Sequence, residues 1–180
     1  SEIINYSDGP KAALKKLFSP ANKSPITLVR VACHFHEINK ALEGCAWLKE
    51  QGYEVGINLM QISEATTEDI EKASKLISSY DLNVLYFADS FGSLDPKKIL
   101  KIIKSLRKHW KKELGIHTHD NMGKALINCV AAAEEGGTWV DGSVTGMGRG
   151  PGNVKTESLV IEFASKRVRK TKSSSIAPLL

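Results

Sequence analysis

Cysteine is scarce in this 180-residue chain: Cys33, Cys45 and Cys129 are widely spaced and odd in number. No C-x-x-C pair occurs, which excludes a zinc ribbon and a disulfide framework. Reduced thiols in a cytoplasmic protein are the expectation. No apolar run approaches the roughly 20 residues that span a bilayer. The first ten residues hold no basic stretch followed by an apolar one, so no secretory signal is expected among them. The chain opens on Ser1 instead of Met, which leaves room for residues upstream. Gly-Lys-Ser/Thr is missing after any glycine-rich turn, which excludes a P-loop.

What is present is an ordinary globular composition. Hydrophobic residues make up 42% and charged residues 25%, enough apolar side chain to exclude disorder throughout. The net charge of +5 raises the question of nucleic acid. Much of the excess lies between Lys97 and Lys112 and in the tail from Lys166 to Lys172. In the first segment Ile99, Ile103, Leu106 and Trp110 recur on one helix face, and the lysines fall largely on the others. A solvated outer face accounts for that charge without a nucleic-acid ligand.

Short β-branched runs alternate with longer helical patterns. Strands are expected at 26–32, 53–59, 82–88, 114–118 and 138–144, with a weaker one at 2–6. The five stronger ones start 27, 29, 32 and 24 residues apart, about one strand plus crossover helix each time. Helices are expected at 38–51, from Thr67 to about Tyr80, from Asp95-Pro96 through the basic segment, at 123–135 and at 153–165. Strict βα alternation implies a parallel sheet covered by helices, either doubly wound or a (β/α)8 barrel. No glycine-rich phosphate turn follows Ala32, as a doubly wound sheet would favour. Polar residues instead gather after nearly every strand, where the mouth of a barrel would be.

Three of these clusters carry chemistry. His117-Thr118-His119 ends a strand, so both imidazoles face one side and can reach one divalent metal. The bland reading is a pair of loop-end histidines bonded to their neighbours. Gly146-Met147-Gly148-Arg149-Gly150-Pro151-Gly152-Asn153 can wrap closely round a ligand or serve as a flexible rim. Asn153 there offers a neutral oxygen ligand, a helix N-cap, or both. Asp89-Ser90-Phe91-Gly92 supplies a carboxylate for a ligand's outer contacts or for a turn. His34 and His36 form a further H-x-H, followed by Glu37, from which a single inward residue, His34, is expected.

Together, Phe87-Ala88-Asp89-Ser90-Phe91-Gly92, Gly115-Ile116-His117-Thr118-His119-Asp120-Asn121 and the run from Val140 to Asn153 resemble the metal-dependent pyruvate/acyl-CoA lyase superfamily. Within it, the likeness is closest to the 4-hydroxy-2-oxovalerate aldolase branch, which the segment Arg30–His34 and the Val55-Gly56 strand also resemble. The resemblance spans residues 26–165. It implies a TIM barrel holding a divalent metal, Mn or Mg and sometimes Co or Zn, on His117, His119 and Asn153. It implies catalytic roles for Asp89, Ser90 and His34, and substrate contacts at Glu37, Asn121, Gly148 and Gly150. The metal would chelate a 2-oxo acid and stabilise the enolate formed as a 4-hydroxy-2-oxo acid is cleaved to pyruvate and an aldehyde, or in the reverse reaction.

The departures are specific. The glycine loop lacks the cysteine of hydroxymethylglutaryl-CoA lyases, which favours the aldolase over the acyl-CoA chemistry. No Asp-Arg-Asp/Glu or Arg-Asp-Gly segment of the family's first strand occurs. Residues 1–180 are therefore expected to form the C-terminal portion of a single barrel, about strands 3–8, with the first strands missing. A Claisen-type acyl-CoA synthase or lyase on the same metal site, and an inactive barrel fragment, are the alternatives. The expected partners are a small 2-oxo acid and further copies of the chain, with neither nucleic acid nor membrane.

Overall fold

The computed structural model describes residues 3–165, in which five strands alternate with helices. The order is α1 (Pro10–Leu17), β1 (Leu28–Cys33), α2 (Ile38–Glu50), β2 (Glu54–Leu59), α3 (Thr67–Ser78), β3 (Val84–Asp89), α4 (Pro96–Arg107), β4 (Glu113–Thr118), α5 (Ala125–Glu134), β5 (Trp139–Val140) and α6 (Thr156–Ser165). The strands pair in chain order, β1-β2-β3-β4-β5, and every pairing is parallel. A doubly wound sheet reverses its strand order at a switch point, and this one does not. With right-handed crossovers, such an order places the helices on one face of the sheet. The α1–α2, α3–α4 and α4–α5 pairs pack side by side there.

The core lies between that face and the helices. Val55, Ile57 and Leu59 of β2, Leu85 and Phe87 of β3, and Leu114 and Ile116 of β4 are each no more than 1% exposed. They meet Ile99, Ile103 and Leu106 of α4 and Leu42 and Leu48 of α2 in one apolar cluster. Burying each such side chain contributes about 1.5–3 kcal/mol. Helix α4 starts as its sequence dictates: the Asp95 carboxylate accepts the Lys98 amide at 2.9 Å, and Pro96 holds the first helical position. Lys97, Lys98, Lys101 and Lys104 are all exposed on its outer side, so the basic segment is a solvated helix face. The other basic segment, Lys166–Lys172, lies outside the described residues.

Four local expectations need correcting. Residues 3–5 form a turn where a weak strand over 2–6 was expected, with Ile4 buried as a plug. Helix α1 was not foreseen; its markers are Gly9 at φ 84° and Pro10 at the first helical position. The fifth strand is two residues long instead of spanning 138–144. Its bonds to β4 end at the Asp141 amide, because Ser143 instead donates to Val154 and accepts from the Thr156 amide. For the same reason α6 begins at Thr156, and Asn153 is not its cap.

The three cysteines are free and buried, and burial pushes each thiol up to about 12. Among the described residues no helix is long and apolar enough to cross a membrane.

Candidate functional site

The alternation of β4 decides which groups face the open side of the sheet. Thr118 turns toward the helices, where its hydroxyl lies 3.3 Å from Cys129 Sγ. His117 and His119, on either side of it, turn the other way, with ring centroids 5.2 Å apart and planes 82° to each other. The His119 amide donates to the Asp89 carbonyl at 3.3 Å, which ties the end of β4 to the end of β3.

Asn153 is brought to this pair by the glycine loop. It forms an antiparallel bridge with His119. Its amide donates to Gly146 at 3.0 Å, and the Asp120 amide donates to Gly152 at 2.9 Å. This closure requires glycine at 152, where φ is 95° and a Cβ would strike the Gly146 carbonyl oxygen. The Asn153 side-chain Nδ2 donates to the Met147 carbonyl at 3.2 Å, while its Oδ1 is buried with no hydrogen-bond partner.

On the open face a second group of side chains meets His117. Arg30 of β1 grips Asp141 with both arms, Nη1 to Oδ1 at 2.9 Å and Nη2 to Oδ2 at 2.7 Å. Asp141 Oδ2 also lies 3.0 Å from His117 Nδ1. The Arg30 guanidinium covers the Tyr86 ring at 4.1 Å from its centroid. These residues, with Leu28 and Asn153, line a cavity of about 660 Å³. Burial pushes the Asp141 carboxyl up, but the bonds from His117 and Arg30 outweigh it and hold Asp141 below the usual carboxylate range. His119 is shifted down, first by burial and then by the neighbouring His117 and Arg149, and so is neutral at physiological pH.

Sequence reasoning missed Arg30, Tyr86 and Asp141 as functional residues. For Asp141 no local signal existed: only the observed register, with Ile116 paired to Val140, shows that the next residues, His117 and Asp141, share one face. For Arg30 a signal existed, since it is a lone charge inside an apolar strand.

The other expected residues are distributed round the strand ends. Asp89 is fully buried, and its two carboxylate oxygens accept the amides of Ser93 and Leu94, each at 3.0 Å. It orders the loop that leads to α4. Ser90 Oγ accepts the Gln61 amide at 2.9 Å, and its carbonyl accepts Arg149 Nη2 at 3.2 Å. Gly148 lies against the Asn153 carboxamide, and Gly150 faces Asn121 across the exposed rim.

His34 and Glu37 lie apart from the histidine pair. The strand gives way to a tight turn at Phe35–Glu37, so strand alternation does not govern where His36 points. His34 and His36 stack with centroids 5.6 Å apart and line a cavity of about 210 Å³ with Met60 and Gln61. Glu37 is buried, accepting Asn5 Nδ2 at 2.9 Å and the His34 amide at 3.0 Å. Burial raises its carboxyl, and those two bonds, with the neighbouring His34 and His36 rings, more than reverse the effect.

Among the described residues no three His, Cys, Asp or Glu side chains form a metal-binding group. A divalent cation at this site would have two imidazoles and one amide oxygen. The unpartnered Asn153 Oδ1 and the two rings fit such a role, since neutral nitrogen and oxygen donors suit a first-row divalent ion.

A parallel sheet wound in one direction, with paired histidines at the carboxyl ends of its strands, is the plan of a TIM-barrel enzyme. Residues 16–176 match the family model described as HMGL-like, and the chain belongs to that family. It is 38% identical over 140 residues to the 4-hydroxy-2-oxovalerate aldolase of Geobacillus thermodenitrificans (strain NG80-2), covering 78% of this chain and 41% of that one. It is 34% identical over 143 residues to 4-hydroxy-2-oxovalerate aldolase 2 of Nocardia farcinica (strain IFM 10152), covering 79% and 41%. The chain thus spans about two fifths of the length of these curated relatives. The solved HMG-CoA lyase of Bacillus subtilis superposes with a TM-score of 0.77 at 19% identity, over 91% of this chain and 63% of that one. That likeness is one of fold, and it makes the five-stranded sheet part of a TIM barrel.

Proposed function

We propose that residues 1–180 are the C-terminal portion of a single aldolase-type barrel, and that the complete barrel is a divalent-metal-dependent carbon–carbon lyase. It cleaves a 4-hydroxy-2-oxo acid to pyruvate and an aldehyde, or runs the reverse condensation. The observation that carries this reading is the His117–His119 pair set beside the unpartnered Asn153 Oδ1. The names of the curated relatives support the substrate class. The cation is Mn or Mg in preference to Co or Zn. Bound there, it would supply Lewis-acid stabilisation of the charge that develops as the bond breaks.

The chain's own residues prepare the site. His119, kept neutral by burial, presents a lone pair. Asp89 and Ser90 hold the loops after β3 and β2 in place round it. Asn121, Gly148 and Gly150 leave an open rim through which a small acid enters, and Arg149 adds a positive charge beside it. His34 and Glu37 shape the neighbouring end of β1. The free thiols support a cytoplasmic location, and we include further copies of the chain among its partners.

The test is turnover by the whole protein with His117→Ala and His119→Ala. We expect Mn affinity and pyruvate release each to fall more than about 100-fold, beyond the 10–100-fold of an outer-contact change. Full activity in both variants would overturn the assignment. Assaying pyruvate with an aldehyde against pyruvate with acetyl-CoA separates the aldolase from a Claisen-type enzyme.

A further inference from the structure

We propose that Arg30 and Asp141 act as positioning residues that fix the tautomer and aim of His117, leaving its Nε2 as the nitrogen offered at the strand ends. The inference deepens the metal site proposed above and rests on it for its consequence, while its geometry stands alone.

Hydrogen-bond capacity places the proton. An ionised carboxylate only accepts, and a neutral imidazole carries a proton on one nitrogen. His117 Nδ1 lies 3.0 Å from Asp141 Oδ2, so the proton resides on Nδ1 and the lone pair on Nε2. Asp141 is kept ionised by the guanidinium of Arg30, which contacts both of its oxygens at 2.9 and 2.7 Å. A two-armed grip of this kind fixes the plane of the carboxylate as well as its charge. The carboxylate plane in turn fixes the direction in which His117 donates.

The clamp crosses the whole sheet. Arg30 belongs to β1 and Asp141 follows β5, the two outermost strands, and they are 111 residues apart in the chain. Between them the guanidinium rests on Tyr86 of the central strand. His117 is therefore oriented by groups drawn from both edges of the sheet and from its centre. A salt bridge serving stability alone would have no need of a third partner on Oδ2.

The test reads the tautomer directly. Long-range ¹H–¹⁵N correlation spectra of the histidine rings are recorded on the metal-free 180-residue chain near about pH 8, where histidine is neutral. We expect the wild-type His117 to show the Nδ1–H pattern. In Asp141→Ala the acceptor is gone, and His117 should pass mainly to the Nε2–H form. Calorimetric titration of the complete barrel with Mn²⁺ alone should show affinity falling 10–100-fold in Asp141→Ala. An Nε2–H pattern in the wild type, or an unchanged tautomer in a folded Asp141→Ala, would overturn the proposal. The wild-type spectrum decides the matter even where a variant does not fold. The expected wild-type tautomers with no Mn²⁺ binding by the complete barrel would overturn the metal reading and leave the clamp standing.

Discussion

Tyr86 occupies the space above Gly115 in which a side chain would otherwise stand. A Cβ at position 115 would lie 2.6 Å from Tyr86 Cδ1 and nearer still to Cε1. The ring lies low over β4 because its neighbour has no side chain, and Arg30 can then lie over the ring and reach Asp141. Gly115→Ala should therefore lift Tyr86 into Arg30. We expect a loss of about 1–3 kcal/mol, the usual cost of an overpacked interior, read as a lower urea midpoint.

Gly152→Ala should open the loop that carries Asn153. The left-handed backbone and the contact with Gly146 both oppose a side chain there. Strain of this kind costs about 1–3 kcal/mol. Amide exchange should quicken at Asp120 and Asn153, whose bonds close the loop, and leave the β2 amides unchanged. Unchanged exchange at Asp120 would refute this account of the loop.

Acid should weaken the N-terminal attachment through Glu37. Its carboxyl is held below the usual range, so on acidification the unfolded chain takes up this proton at a higher pH than the folded one. The contribution is complete above the unfolded value of about 4.3 and is lost as pH falls through the lower folded value. Glu37→Gln should cost about 1–3 kcal/mol at neutral pH, because a buried bonded charge is replaced. The gap between its melting temperature and that of the wild type should narrow toward pH 3 (about one unit below that unfolded value).

The two faces of α4 should respond oppositely. Leu106→Ala, at a fully buried position, should cost about 2–5 kcal/mol. Lys101→Ala and Lys104→Ala, at exposed positions, should stay within about 0.5 kcal/mol. Chemical denaturation of the three variants gives the comparison.

The buried thiols should resist modification. Cys33, Cys45 and Cys129 have no exposed surface, and burial holds each near 12. A thiol reagent at neutral pH should leave them unreacted in the native chain and titrate all three in denaturant. Fast labelling of the native protein would show that the core opens readily.

The period-two and helical patterns make the βα alternation legible in the sequence, along with the shared aim of His117 and His119. Those patterns are local, and so is the Asp95-Pro96 helix start. What they do not reveal depends on distant partners. The fifth strand is short because Ser143 bonds to residues beyond the glycine loop, which no local propensity records. Helix α1 shows only Ala13 and Leu14 as buried apolar positions beyond its opening proline, too few for a clear period. The Arg30–Asp141 pair joins strands at opposite edges, and only the register of the sheet brings it onto one face. Asp89 looks available from its motif, yet its oxygens are engaged by amides of the loop that follows it.

The order of the strands also bears on how the chain assembles. Residues in register such as Leu28 and Glu54, Val84 and Glu113, or Gly115 and Trp139 are one βα unit apart. The sheet can therefore grow by accretion, each unit docking on the one just formed, with modest loop-closure entropy at each step. The contact between Arg30 and Asp141 cannot form by that route until the last strand has arrived. It is a latch between the first strand and the last, and its closure records that every strand between them is in register.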